Sequence, residues 1–323
     1  MNTKSIIVVS GEPYSVFLEI FFNTFKKKLI TKSKKPIILI VSKKLLLQQM
    51  KELNYNLKVN EINPKNILKN YKKEMINIIN VEFKFDKAFD KISSKSTNYI
   101  EKCFEIALSL IKMDKSISFI NGPISKKHFL NGKNLGITEY LAQKTNRENK
   151  VAMLIFNKKL SVSPITTHLA LKDVSKNISK QKIYTHIKLI TEFYEKNFRR
   201  KPKIAISGLN PHCESNFQDC EEDAIIIPAI KNLKAKNFKV EGPFPADTIF
   251  THEHLKKFDI IIGMYHDQVL TPMKALFGFD AINITLGLPF VRISPDHGPN
   301  SSMLGKNLSN PKSLIEALKF LDK

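Results

Sequence analysis

Three times this chain drives a short apolar run into a polar loop that ends in a histidine. SVSPITT precedes His168, IAISGLNP precedes His212 and IIIGMY precedes His266. Each run has the length and the branched apolar make-up of a buried strand, bounded by glycine, proline or charge. Further runs of the same kind occur at 5–10 (SIIVVS), 36–42 (PIILIVS), 116–120 (SISFI) and 150–156 (KVAMLIF). Strand and helix candidates in alternation argue for α/β architecture. In such open α/β sheets ligands bind outside the carboxyl ends of the strands. The three histidines are therefore expected at the end of the sheet where chemistry takes place.

The intervening segments supply the helices. A helix is expected through Phe17–Phe25 and another over KKLLLQQMKEL at 43–53. Ile100, Cys103, Phe104, Ala107, Leu108 and Ile111 recur every three or four residues, the stripe of an amphipathic helix. A long helix is predicted from Ser179 to Arg199. EEDAIIIPAIKNLKAK follows with Glu221, Glu222 and Asp223 at its positive end, and PKSLIEALKFL closes the chain with Pro311 in its first turn. VLTPMKALFGF after His266 is read as a helix that holds Pro272 in its first turn, where proline is tolerated. Residues 55–95 carry no periodicity that assigns elements.

Composition excludes several classes. A chain of 323 residues suits two domains or one large α/β unit. No apolar run approaches the roughly 18 residues of a membrane span, and MNTKSIIVVSGEP lacks the form of a secretory signal. Cys103, Cys213 and Cys220 form neither a CxxC pair nor a disulfide framework, so a reducing cytoplasm is the expected compartment. The net charge of +22 comes almost wholly from lysine, since arginine stands only at 147, 199, 200 and 292. Arginine is the residue of bidentate phosphate and base recognition. The lysines are scattered, so no nucleic-acid partner is expected.

Three neutral imidazoles with a fourth position open form a usual catalytic site for zinc or another divalent metal. A histidine satisfied by a backbone carbonyl is the competing reading for each. His128, His186, His252 and His254 lie in polar or helical surroundings and read as surface residues. GPNSSMLGKN fails the phosphate-loop pattern, no GxGxxG follows a strand and no GxSxG is present. What remains is a candidate pocket of three histidines with the cations Lys274 and Arg292 and the polar Thr138 and Asn283. A metal to polarise a hydroxyl, with cations for phosphate or carboxylate, suits a small anionic alcohol.

In order and spacing, NGPISK, GITEYLA, TTHLALKDV, GLNPH, GPFPADTIF, MYHDQ, NITLGLPFVR and DHG resemble the 4-hydroxythreonine-4-phosphate dehydrogenase family over nearly the whole chain. The resemblance implies a two-domain α/β fold like that of isocitrate and isopropylmalate dehydrogenases, with mixed sheets flanked by helices. The first domain would take both chain ends, 1–130 and 290–323, and the second 131–289 with the dimer interface. It implies a metal held by His168, His212 and His266, one of them from the partner of a homodimer. The ion would be Zn, Co, Mn or Mg. Thr138, Lys274, Asn283 and Arg292 fall on substrate positions, and Asp247 on the proton acceptor, where a structural aspartate is the alternative. The implied activity is NAD- or NADP-dependent oxidation of 4-phosphohydroxy-L-threonine to the 3-oxo acid. Decarboxylation then gives 3-amino-2-oxopropyl phosphate for pyridoxal phosphate synthesis.

This chain departs from the family in three places. Ile137 stands where the family has a histidine of a Gly-His-Thr run. Tyr14-Ser15-Val16 replaces a glycine-rich stretch after GEP, although Glu19 is retained. Pro299-Asn300-Ser301 follows DHG, close to the expected cofactor loop. Ile137 keeps open the alternative of a relative that oxidises another phosphorylated or carboxylated hydroxy acid.

Overall fold

In the order of the chain, the computed structural model alternates strand and helix; it describes residues 5–132, 134–214, 220–278, 280–295 and 298–322. It opens with β1 (Ile6–Val9), α1 (Phe17–Lys26), β2 (Ile37–Val41), α2 (Lys43–Glu52), β3 (Val59–Glu61), β4 (Ile76–Asn80), α3 (Thr97–Met113) and β5 (Ser118–Asn121). Next come α4 (Ile137–Lys144), β6 (Ala152–Phe156), β7 (Ser161–Pro164), α5 (Lys180–Phe198), β8 (Ile204–Ser207), α6 (Ile227–Ala235) and β9 (Val240–Phe244). The last elements are α7 (His252–Lys257), β10 (Ile260–Gly263), α8 (His266–Phe277), β11 (Ile282–Leu286), β12 (Arg292–Pro295) and α9 (Lys312–Leu321). The chain divides into two compact units, Met1–Ile137 with Pro289–Lys323, and Thr138–Leu288.

In the first unit the strand order is β3-β4-β2-β1-β5-β12, and every described pairing is parallel. The unbroken apolar runs explain this: all four residues of β1 and all five of β2 are buried. Segment 55–95, which shows no periodicity in the sequence, supplies the short strands β3 and β4. Helix α1 buries Phe17, Leu18, Ile20, Phe21, Phe22 and Phe25. Each such side chain contributes roughly 1.5–3 kcal/mol relative to exposure. The loops after β1 and β5 touch, because a Cβ on Gly122 would lie 2.2 Å from the Ser10 carbonyl oxygen.

In the second unit the order is β11-β6-β7-β10-β8-β9. β11, β6 and β7 pair antiparallel, whereas β7, β10, β8 and β9 run parallel. The strands of the second unit are thus mixed in direction, so the protein is an α/β fold whose sheet is mixed and flanked by helices. Helix α5 begins where Ser179 accepts a hydrogen bond from the Lys182 amide at 3.2 Å. It packs Ile183, Ile187 and Ile190 inward, each fully buried.

Two expectations are corrected here. Helix α8 starts at His266, so Pro272 sits in its interior rather than in its first turn. Only Met264 and Tyr265 separate β10 from the helix. A Cβ on Gly263 would fall 2.5 Å from Val269 Cγ1, which shows how tightly the helix folds back on its strand. His186 is not a surface residue: it is 4% exposed, on the α5 face that carries Ile183 and Ile190. Burial, with Lys182 nearby adding to it, pushes its imidazole down to about 3, so it is neutral at physiological pH.

Candidate active site

All three histidine-bearing loops leave the carboxyl ends of neighbouring parallel strands of the second unit, in the order β7, β10, β8. Backbone hydrogen bonds fix the first of them. The amide and hydroxyl of Thr166 both donate to the Met264 carbonyl, at 3.1 and 2.7 Å. That bond ties the loop of His168 to the turn before His266. The two imidazoles come together, 5.6 Å between ring centroids with 39° between their planes.

Each ring has a carboxylate on its Nδ1 side. Asp267 Oδ1 is 2.7 Å from His266 Nδ1, and Glu139 Oε2 is 4.0 Å from His168 Nδ1. Glu139, on α4, is itself oriented by a 2.9 Å hydrogen bond from Thr167. Lys182, near enough to feel the charge of Glu139, is held below its ordinary value by burial, with Glu139 opposing the shift. The Asp267 carboxylate, within hydrogen-bond reach of Nδ1, selects the His266 tautomer that leaves Nε2 as an acceptor, whereas 4.0 Å is too long for a hydrogen bond from His168 to Glu139.

This geometry fits a metal. Two imidazoles on one tetrahedral ion, at about 2.0–2.1 Å, place their centroids about 5 Å apart. The pair here needs only a small adjustment to reach that separation. Among the described residues, however, no group of three His, Cys, Asp or Glu side chains in one chain is close enough to hold an ion. His168 and His266 are brought together, and His212 does not join them.

His212 belongs to a second cluster, in the loop after β8. Its φ is 57° and that of Cys213 is 59°, two consecutive residues in the left-handed region that non-glycine residues adopt at a cost. The loop holds this shape because Glu222, fully buried, accepts from the amides of Leu209 and Asn210 at 2.7 and 2.8 Å and from the Asn210 side chain at 2.8 Å. Burial alone would raise the Glu222 carboxyl; the hydrogen bonds from Asn210 and Leu209 outweigh it and hold it below its ordinary range. Asp247 is exposed and lies on this side of the unit. Burial is the main cause that raises the Cys213 thiol, and the Glu222, Asp247 and Glu214 carboxylates add to it. Cys213 is therefore no thiolate nucleophile.

The expected substrate residues divide between the units. Thr138 is buried at the start of α4, with its hydroxyl 3.4 Å from that of Thr285. Asn283 shares a face of β11 with Thr285, two residues on. Its Oδ1 is buried and accepts no hydrogen bond among the described residues. Lys274 is exposed in the third turn of α8. Arg292 lies in the first unit, wholly buried, and donates from Nε to Asn121 Oδ1 at 2.8 Å. Asp296 and His297 of the DHG motif lie outside the described residues. The altered segments at 14–16 and 299–301 meet within the first unit, where the Val16 amide donates to the Pro299 carbonyl at 3.1 Å. Glu19 accepts from the amides of Asn307 and Ser309 just beyond.

In the sequence alone Glu139, Asp267, Gln268 and Glu222 carry no site role. Asp267 and Gln268 follow His266 directly within MYHDQ. Glu222 reads as a helix-end charge until the loop at 208–210 folds back onto it.

Taken together, the fold and the site define an α/β enzyme whose imidazoles are gathered at the carboxyl ends of parallel strands. Residues 32–321 match the family of the pyridoxal phosphate biosynthetic protein PdxA, and the chain belongs to that family. It is 37% identical over 319 residues to a 4-hydroxythreonine-4-phosphate dehydrogenase of Sulfurihydrogenibium sp., which spans 98% of this chain and 96% of that one. It is 32% identical over 325 residues, 98% and 97% of the two chains, to an Oceanobacillus iheyensis protein provisionally named a D-threonate 4-phosphate dehydrogenase. Among solved structures, the 4-hydroxythreonine-4-phosphate dehydrogenase of Klebsiella pneumoniae superposes with a TM-score of 0.80 at 27% identity, covering 99% of this chain and 98% of that one. The chain is a dehydrogenase of this family. No helix among the described residues is long and apolar enough to cross a membrane.

Proposed function

We propose that the chain oxidises the C3 hydroxyl of 4-phosphohydroxy-L-threonine with NAD or NADP, and that the 3-oxo acid then loses CO2 to give 3-amino-2-oxopropyl phosphate. The observation that carries this reading is the His168–His266 pair, in a chain similar over nearly its whole length to a named dehydrogenase of that substrate. A divalent metal, Zn, Co, Mn or Mg, would lower the pKa of the hydroxyl and stabilise charge on the product oxygen. His168 and His266 would hold it by Nε2, with Asp267 fixing the tautomer of His266. His212 of the partner subunit would complete the ligand set in a homodimer, which accounts for its separation from the other two within one chain.

The remaining residues bind and orient. Asn283 Oδ1 offers an acceptor to the substrate's amino or hydroxyl group. Thr138 and Lys274 contribute a hydroxyl and a charge on the same unit. Arg292 contributes a charge on the first unit. Asp247, carried beside the partner's His212, would take the proton as hydride leaves for the nicotinamide.

A second reading is favoured by Ile137. It is the half-buried first residue of α4, directly before Thr138, and it cannot donate a hydrogen bond. A substrate that carries a hydroxyl in place of the amino group, as in the name of the Oceanobacillus iheyensis relative, is the natural competitor. Formation of NADH or NADPH from 4-phosphohydroxy-L-threonine and from D-threonate 4-phosphate, each with added Zn, Co, Mn or Mg, decides between them. Turnover of neither would overturn both.

A further inference from the structure

We infer that Gln268 is a positioning residue that sets the loop of His212 against the helix of His266. Its side chain is 8% exposed, and both ends of its amide are engaged. Oε1 accepts from the Met264 amide at 2.6 Å, in the turn that leads from β10 into α8. Nε2 donates to the Gly208 carbonyl at 2.8 Å, at the root of the loop that carries His212. The orientation is unique, because a reversed amide would set NH2 against the Met264 N–H and oxygen against the Gly208 carbonyl. Buried donors and acceptors left unmade cost more than the bonds contribute, so the clamp resists being opened.

The loop needs such a hold. His212 and Cys213 are both left-handed, and the chain between Gly208 and Cys213 is folded so tightly that a Cβ on Gly208 would lie 2.7 Å from Cys213 Sγ and 3.0 Å from Glu222 Oε1. Glu222 grips the loop through Leu209 and Asn210. Gln268 grips it at Gly208 and is two residues from His266. Met264, whose amide Gln268 takes, also receives Thr166 on its carbonyl, so the three histidine loops are stitched at one turn. Under the dimeric metal reading, on which this inference rests for its functional meaning, His266 and His212 of one chain serve different sites. Gln268 then fixes the relation between those two sites through a single side chain.

The test is Gln268→Glu in the full-length protein, with Gln268→Leu beside it. Glutamate keeps the acceptor for Met264 and sets a carboxylate oxygen against the Gly208 carbonyl, so only the arm to the His212 loop is broken. Amide exchange of residues 209–214 is expected to accelerate, while that of β7 and Thr166 stays as in the wild type. Cobalt(II) affinity, followed by its absorption bands, is expected to fall, because the loop that carries His212 is less firmly held. Unchanged exchange at 209–214, or an increase spread evenly over the second unit, overturns the clamp. A wild-type protein that takes up no cobalt refutes the metal reading instead, and exchange at 209–214 still decides the clamp.

Discussion

His168 and His266 lie with 5.6 Å between ring centroids, and a carboxylate oxygen stands on the Nδ1 side of each, 2.7 Å away for Asp267 and 4.0 Å for Glu139. The stronger of the two contacts is His266–Asp267 at 2.7 Å, made by a side chain that is otherwise exposed. Asp267→Ala is therefore expected to leave folding almost unchanged and to weaken divalent-metal affinity roughly 10–100-fold, with Asp267→Asn between it and the wild type. Titration with zinc against a chromogenic competitor reads this directly. An unaltered affinity in Asp267→Ala would show that the carboxylate does not set the ligating tautomer.

The separation of His212 and Asp247 from the His168–His266 pair makes the sharing of the site testable by complementation. His168→Ala and His212→Ala homodimers should each be inactive. In a dimer of one chain of each kind, one site carries both lesions and the other carries none. Unfolding and refolding an equal mixture should restore about a quarter of wild-type activity, since half of the dimers are mixed and each has one intact site. A mixture as inactive as its components would place all three ligands in one chain.

The alternation of apolar runs with helical stripes was enough to assign the strands that carry the site, because strands buried on both faces leave little else for such runs to do. The pairing of His168 with His266 was not legible, because it depends on β7 and β10 being neighbours while β8 lies one strand further. Strand order of this kind leaves no mark in local spacing. The misplacement of His186 has a different origin. His186 is polar, yet three residues after Ile183 and four before Ile190 it lies on the buried stripe. Gln268 and Glu222 escaped notice because their roles are long-range hydrogen bonds to backbone, spanning 60 residues for Gln268 and 13 for Glu222 with Leu209.

Ile137 separates the two substrate readings. A histidine at the first position of α4 could donate to the substrate, worth about 0.5–1.5 kcal/mol if neutral and about 1.5–3 if charged. If 4-phosphohydroxy-L-threonine is the substrate, Ile137→His should lower its Michaelis constant roughly tenfold, with kcat little changed because His168, His266 and Asp267 are untouched. If the pocket is shaped for a different hydroxy acid, the substitution should bring no gain on that compound. Steady-state kinetics on both compounds distinguish these outcomes.

Glu12, 1% exposed at the end of β1, is pushed up to about 7 by burial, against the opposing hydrogen bonds of Ser96 and the Tyr14 backbone. Ser96 Oγ lies 3.2 Å from Glu12 Oε2 and 2.9 Å from the Ser93 carbonyl. One hydroxyl proton cannot serve both acceptors. A protonated Glu12 resolves the conflict by donating to Ser96, which then donates to Ser93. Because the folded pKa stands above the ordinary carboxylate value of 4.5, the folded state retains a proton that the unfolded chain has lost. Stability from this group is therefore complete below about pH 4.5 and is lost as the pH rises through about 7, by at most about 3 kcal/mol. Glu12→Gln cannot ionise and keeps a donor for Ser96. The wild type should lose thermal stability between about pH 5 and pH 8 relative to Glu12→Gln, with the two melting temperatures converging at the acid end. Parallel melting curves across that range would show that Glu12 keeps an ordinary carboxylate pKa, and the proton assigned to the Glu12–Ser96 contact would have to be withdrawn.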